Sequence, residues 1–104
     1  MYSVQLHCTF VFMIISINSK PLRLLYQKGD GTKLPASQLG KINLILTLLD
    51  GASEPEDMDF PGSGLHKLSG EYKDFWSVKV NANYRIIFKF TSKGVADVDY
   101  LDYH

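Results

Sequence analysis

A single cysteine, Cys8, leaves this chain of 104 residues without a partner for an intramolecular disulfide. Even with the three scattered histidines, His7, His66 and His104, it offers too few ligands for a zinc site. A reducing, cytoplasmic setting is the corresponding expectation. The apolar run from Val4 to Ile17 is broken by Gln5, His7, Thr9 and Ser16, lacks a basic leader and is followed by no small-residue cleavage site. It makes a poor signal peptide and is too short to span a bilayer, so no membrane partner is expected. Neither sign of charge is in excess: eleven Lys/Arg meet eleven Asp/Glu, which argues against an autonomous, high-affinity nucleic-acid binder. Internal repeats, low-complexity tracts and a Ser or Cys nucleophile motif are missing too. Pro61-Gly62-Ser63-Gly64 lacks the flanking strand and helix of a phosphate cradle.

What is present is charge in blocks. Residues 1–49 carry five Lys/Arg against one Asp, and residues 50–66 carry five acids and no base. Residues 67–93 carry six bases against two acids, and the last eleven residues three Asp. The basic block at 67–93 keeps a nucleic-acid contact open for a protein whose substrate is presented by something larger. Length and a 45% hydrophobic content fit one compact domain, expected over residues 13–104. Residues 1–12 are either an upstream extension from an early start, with Met13 as the true beginning, or a lengthening of the first strand.

The periodicities predict an α+β fold. Ile14-Ile15-Ser16-Ile17 reads as a strand. A short helix follows, with Ser19 as N-cap, Pro21 in its first turn and Gly29 or Gly31 as its stop. A second helix starts at Pro35, with Leu39, Ile42, Ile45, Leu46 and Leu49 at three- and four-residue spacing before Asp50-Gly51; Leu44 and Leu48 widen its apolar stripe. Residues 51–64 read as a solvated acidic loop. From Leu65 the period becomes two, giving an antiparallel meander: a short strand at Leu65–Gly70, one at Phe75–Val80, a turn at Asn81–Asn83, a strand at Tyr84–Phe90 and a last one from Val95 to His104. The helices are expected to cover one face of this sheet.

On the opposite face Lys79, Arg85 and Lys89 come together, since cross-strand neighbours lie only about 5 Å apart. Alternation puts Asp102 and His104 on one side of the last strand and Tyr103 on the other. An aspartate and the terminal α-carboxylate beside the imidazole are expected to raise the His104 pKa above about 6.5, poising it as a general acid. His66 brackets the same surface if its strand lies near the cationic face, and the two imidazoles would then supply acid and base around one phosphate, with Arg85 neutralising the charge that builds on its oxygens. On chemistry alone a solvated edge strand is the better account, because Asp-x-His is a weak motif and a terminal histidine a common accident. Asp97 and Asp99 share a face that Asp102 does not, and no glutamate follows at loop spacing, so no metal site is expected. Tyr26, Tyr72, Tyr84 and Trp76 read mostly as core or turn material, with Tyr72, beside Lys73, also able to stack on a base.

Leu65-His66-Lys67-Leu68-Ser69-Gly70, Trp76-Ser77-Val78-Lys79-Val80, Asn83-Tyr84-Arg85-Ile86-Ile87-Phe88 and Asp102-Tyr103-His104 resemble, in order, the motif blocks of the HigB toxins, or plasmid-maintenance killer proteins, of the RelE/ParE superfamily. The resemblance covers Met13 to His104. It implies a RelE-like fold and a toxin that cleaves mRNA on the ribosome without a metal, the ribose 2′-hydroxyl attacking its own phosphodiester. Growth arrest through blocked translation is the implied outcome, and a HigA-like helix-turn-helix antitoxin the implied partner besides ribosome and mRNA. His66, Arg85, Asp102, Tyr103 and His104 match its active-site positions, with either histidine as the base; Lys67, Lys73, Lys79 and Lys89 are the candidate RNA contacts. The chain departs from the pattern at Ser69, where many members have lysine, at Asn81, where some have arginine, and at Tyr84, where tryptophan is commoner. Lys67 and Lys79 are the candidates to compensate, although Lys67 points away from His66 in an ideal strand. A ParE-like gyrase inhibitor and a non-catalytic antitoxin-binding relative are the alternative readings.

Overall fold

The computed structural model describes residues 13–102; the expectation for residues 1–12 lies outside them. Helix α1, Lys20–Lys28, begins where Ser19 Oγ accepts the Leu22 N–H at 3.3 Å. It ends where Gly29 takes the left-handed conformation (φ 70°) and donates to Leu25 O at 2.9 Å. A 3₁₀ turn, Ala36–Gln38, leads into α2, Leu39–Gly51, which buries Ile42, Ile45, Leu46 and Leu49. Leu44 does not join that stripe and is 46% exposed. At 3.6 residues per turn it sits on the far side of the helix from those four, so the expected widening stops at Leu48, which packs against the core.

The sheet is the expected antiparallel meander: β1 His66–Lys67, β2 Trp76–Lys79, β3 Tyr84–Thr91 and β4 Gly94–Asp102, in that spatial order. The predicted first strand is realised as two parallel bridges on the outer side of β4, Ile14 with Val95 and Ile17 with Val98. The spacing of three has a cause in β4. That strand carries a bulge between its pairings with Ile87 and Lys89, with Asp97 in the left-handed region (φ 53°). Ser16 Oγ accepts the Asp97 N–H at 2.8 Å, satisfying a donor within the bulge. Ile14 and Ile17 therefore point inward while Ile15 and Ser16 stay outside. Asp50 Oδ1 ties the segment to the helices by accepting from the Ile14 N–H (3.2 Å) and the Tyr26 hydroxyl (2.6 Å).

The helices and the N-terminal segment close a core of Leu22, Ile42, Ile45, Leu49, Val78, Ile86, Phe88, Val95 and Val98. The acids Glu54, Glu56, Asp57 and Asp59 of residues 51–64 are solvated as expected, but the segment also contributes to the core. Glu54 and Asp57 form a capping box on a 3₁₀ turn, Pro55–Met58, and that turn drives Met58 fully into the core. Among the described residues no helix is long and apolar enough to cross a membrane.

Gly94 is where backbone meets backbone. Its φ is 142°, and a Cβ there would collide with the carbonyl oxygen of Met13. Gly94→Ala is expected to cost about 1–3 kcal/mol, since the strained dihedral and the clash fall on one residue. Urea unfolding measures it; a loss below about 0.5 kcal/mol would mean that the N-terminal segment yields without cost.

Candidate active site

The register of the meander assembles the site. Lys79 lies opposite Arg85, Ser77 opposite Ile87 and Asp99, and His66 opposite Ser77, all on the side of the sheet away from the helices. Asn81 Oδ1 accepts the backbone N–H groups of Asn83 (2.8 Å) and Tyr84 (2.9 Å), holding the tight turn that sets Lys79 against Arg85. Two cations directly opposed in a sheet cost stability, and the arrangement suits an anion that both can face.

Arg85 Nη1 donates to Ser77 Oγ at 2.9 Å, and Ser77 is fully buried. That hydroxyl fixes one prong of the guanidinium fork, and it stands next to His66 in the ladder. Alternation places Ser77 on the Lys79 side of its strand, and a small hydroxyl at that position was the signal the sequence offered. The surface is also less open than expected, because Ser77 and Ile87 (1% exposed) are both buried on it. On it Arg85 bonds to Ser77, and the Lys89 ammonium lies 5.2 Å from the Phe75 ring centroid.

His66 is exposed, and its Nδ1 lies 3.1 Å from the Gly64 carbonyl oxygen. A carbonyl oxygen only accepts, so Nδ1 carries a proton and Nε2 is the atom presented outward. Beside it, at the outer edge of the sheet, is a shallow pocket of about 240 Å³ lined by His66, Lys67, Leu68, Ser69 and Tyr72.

Other expected contributors are placed differently. Lys67 pairs with Trp76 in the ladder, and its ammonium lies 5.9 Å from the indole centroid, so it leaves the His66 side of the strand. That is the direction expected of it in an ideal strand. Lys89 shares the Arg85 side, but it is bridged to Asp97 at 3.3 Å. Lys73 sits in the turn between β1 and β2, where its N–H bonds Gly70 O at 3.0 Å. Asp102 pairs with Tyr84, so alternation points it to the side opposite Arg85. The Tyr100 hydroxyl reports the same side: it is held above its ordinary pKa first by burial, then by the nearby Tyr84 and Asp102. Grouping Asp102 with Arg85 on one surface is thereby corrected. Tyr103 and His104 lie outside the described residues. Asp99, weighed in the sequence only as a metal ligand, is the carboxylate that the register does bring to the cationic side. Among the described residues no three His, Cys, Asp or Glu side chains gather as a metal site.

The chain matches, over residues 15–104, the family described as the RelE-like toxin of type II toxin-antitoxin system HigB. It is 37% identical over 92 residues to Endoribonuclease HigB of Proteus vulgaris, spanning 88% of this chain and 100% of that protein. Toxin HigB-1 of Vibrio cholerae is 33% identical over 94 residues, spanning 88% of this chain and 98% of that one. A YoeB/ParE toxin from Agrobacterium tumefaciens superposes with a TM-score of 0.56 at 16% identity, over 89% of this chain and 99% of its own. YafQ from E. coli does so with a TM-score of 0.54 at 15% identity, over 88% and 92%. At those identities the two solved structures speak for the fold, which is RelE-like.

Proposed function

The chain belongs to the HigB-like family of RelE-like toxins from type II toxin–antitoxin systems, and from that premise we propose that it is an endoribonuclease that cuts mRNA on the ribosome. The observation that carries the reading is the arrangement of His66, Ser77, Arg85 and Lys79 on one side of the sheet, with Arg85 held by a buried hydroxyl. Arg85 faces the non-bridging oxygens of the scissile phosphate and stabilises the charge that develops there; Lys79 adds a second cation. His66, through Nε2, exchanges a proton with the attacking 2′-hydroxyl or the leaving 5′-oxygen, and the motif match proposes His104 for the other, a role that requires the chain to leave strict alternation after Asp102. Tyr103 and Asp102, which match the motif's active-site positions, are proposed to complete the site. Of the remaining lysines, Lys73 sits beside Tyr72 in the turn between β1 and β2, while Lys89 and Lys67 lie against their aromatic neighbours.

A substrate delivered by the ribosome resolves the charge problem of a chain with zero net charge, because docking and substrate affinity come from the larger particle. The proposed setting is the cytoplasm, and the proposed partner a HigA-like antitoxin that contains a helix-turn-helix. The test is cleavage of a message on translating ribosomes, followed at the new 3′ ends. Cuts ending in a 2′,3′-cyclic phosphate, and growth arrest relieved by coexpressing the antitoxin, are expected. Trapping of gyrase without mRNA cleavage would overturn the proposal.

A further inference from the structure

We infer that Tyr72 is a base-stacking platform for the nucleotide adjoining the scissile phosphate; the inference rests on the endoribonuclease reading above and adds the residue that orients the RNA. Tyr72 lines the same pocket as His66. At about 240 Å³ that pocket falls below the roughly 300–1,000 Å³ of sites that enclose a whole ligand. It is a shelf open at one side, suited to one planar group entering from a longer molecule.

The ring is presented, not buried. Tyr72 is 36% exposed and meets Phe75 at 90° with centroids 5.8 Å apart. A perpendicular contact consumes an edge or one face of a ring, so at least one face of Tyr72 remains for another planar group. Phe75 is itself held from the cationic side by Lys89. The backbone beneath is tied at three points: Lys73 N–H to Gly70 O (3.0 Å), Phe75 N–H to Tyr72 O (2.9 Å) and Leu68 N–H to Phe75 O (2.9 Å). A rigid ring is what stacking needs, since little freedom is lost on contact.

Charge does not account for the turn. Glu71 and Asp74 outnumber Lys73 within it, so it has no electrostatic hold on a phosphate. What it offers RNA is a π face, and aromatic–base stacking is tolerant of sequence and strong. With the phosphate at Arg85 and the proton exchange at His66, a base on Tyr72 fixes the strand from one side of the cut.

Cleavage on translating ribosomes tests this with Tyr72→Ala, Tyr72→Phe and a message carrying an abasic nucleotide at the adjoining position. Tyr72→Ala is expected to lower kcat/KM by about 5- to 150-fold, whereas Tyr72→Phe, which keeps the ring, stays within about twofold. The abasic message should cost the unmodified protein the same factor and cost Tyr72→Ala nothing further, the coupling that a merely structural role would not produce. Equal losses in the Ala and Phe variants would assign the effect to the hydroxyl and overturn the proposal. A Tyr72→Ala loss that persists in full on the abasic message would place the ring against the ribosome and overturn it too. Absence of cleavage by the unmodified protein would instead sink the endoribonuclease reading itself.

Discussion

Replacing Arg85 by alanine is expected to lower mRNA cleavage by about 100- to 1,000-fold, the loss typical of removing one preorganised donor to a developing oxyanion. The guanidinium is preorganised by the 2.9 Å bond to Ser77 Oγ, so little of its freedom is lost when the phosphate arrives. The same bond predicts a second effect. Ser77 is fully buried, and losing Arg85 strands its hydroxyl at a cost of about 1–3 kcal/mol in stability. The two effects separate through Ser77→Ala, which leaves the cation in place but unsteered: folding should be close to intact, while cleavage falls less than in Arg85→Ala. Arg85→Lys should recover little of the lost rate, because a point charge cannot both bond Ser77 and present a second prong to the phosphate. Single-turnover cleavage and thermal unfolding, measured on all three, check the argument. A rate within threefold of the unmodified protein for Arg85→Ala would remove Arg85 from the chemistry.

How far the sequence reached depends on whether each feature is local. The cap at Ser19, the stop at Gly29 and the inward stripe of α2 are decided within one helical turn, and all three are as expected. Alternation along β2 and β3, with the turn at Asn81, was enough to bring Lys79 and Arg85 together. What escaped depends on residues far apart in the chain. The bulge at Asp97 changes the face count of β4 and spaces Ile14 and Ile17 by three, and nothing near Asp97 in sequence announces it, since its stabilising partner is Ser16. Met58 was hidden among acids whose solvation was read correctly while the one apolar residue between them was not. The burial of Ser77, which accepts from Arg85 across the ladder, is a tertiary event with no period. Asp102 was grouped by motif with residues that the register places on the other side of the sheet.

Removing the imidazole of His66 is expected to cost about 100- to 10,000-fold in cleavage, the range of a positioned general acid or base, with folding left nearly unchanged because the ring is exposed. The bond from Nδ1 to Gly64 O explains why the effect should be catalytic and not conformational. Both the neutral ring and the imidazolium can donate from Nδ1, so the bond survives a change of protonation and keeps Nε2 aimed in either state. The pH profile then assigns the role. A base must be unprotonated, so if His66 takes the 2′-hydroxyl proton, the acid limb of the single-turnover profile disappears in His66→Ala. If it protonates the leaving oxygen, the alkaline limb disappears instead. His104→Ala should remove the opposite limb, and the double variant should lose less than the product of the two single losses, since groups acting in one proton relay are not additive. A His66→Ala variant that keeps both the rate and both limbs would take the residue out of the reaction and leave Nε2 as a surface atom beside Tyr72.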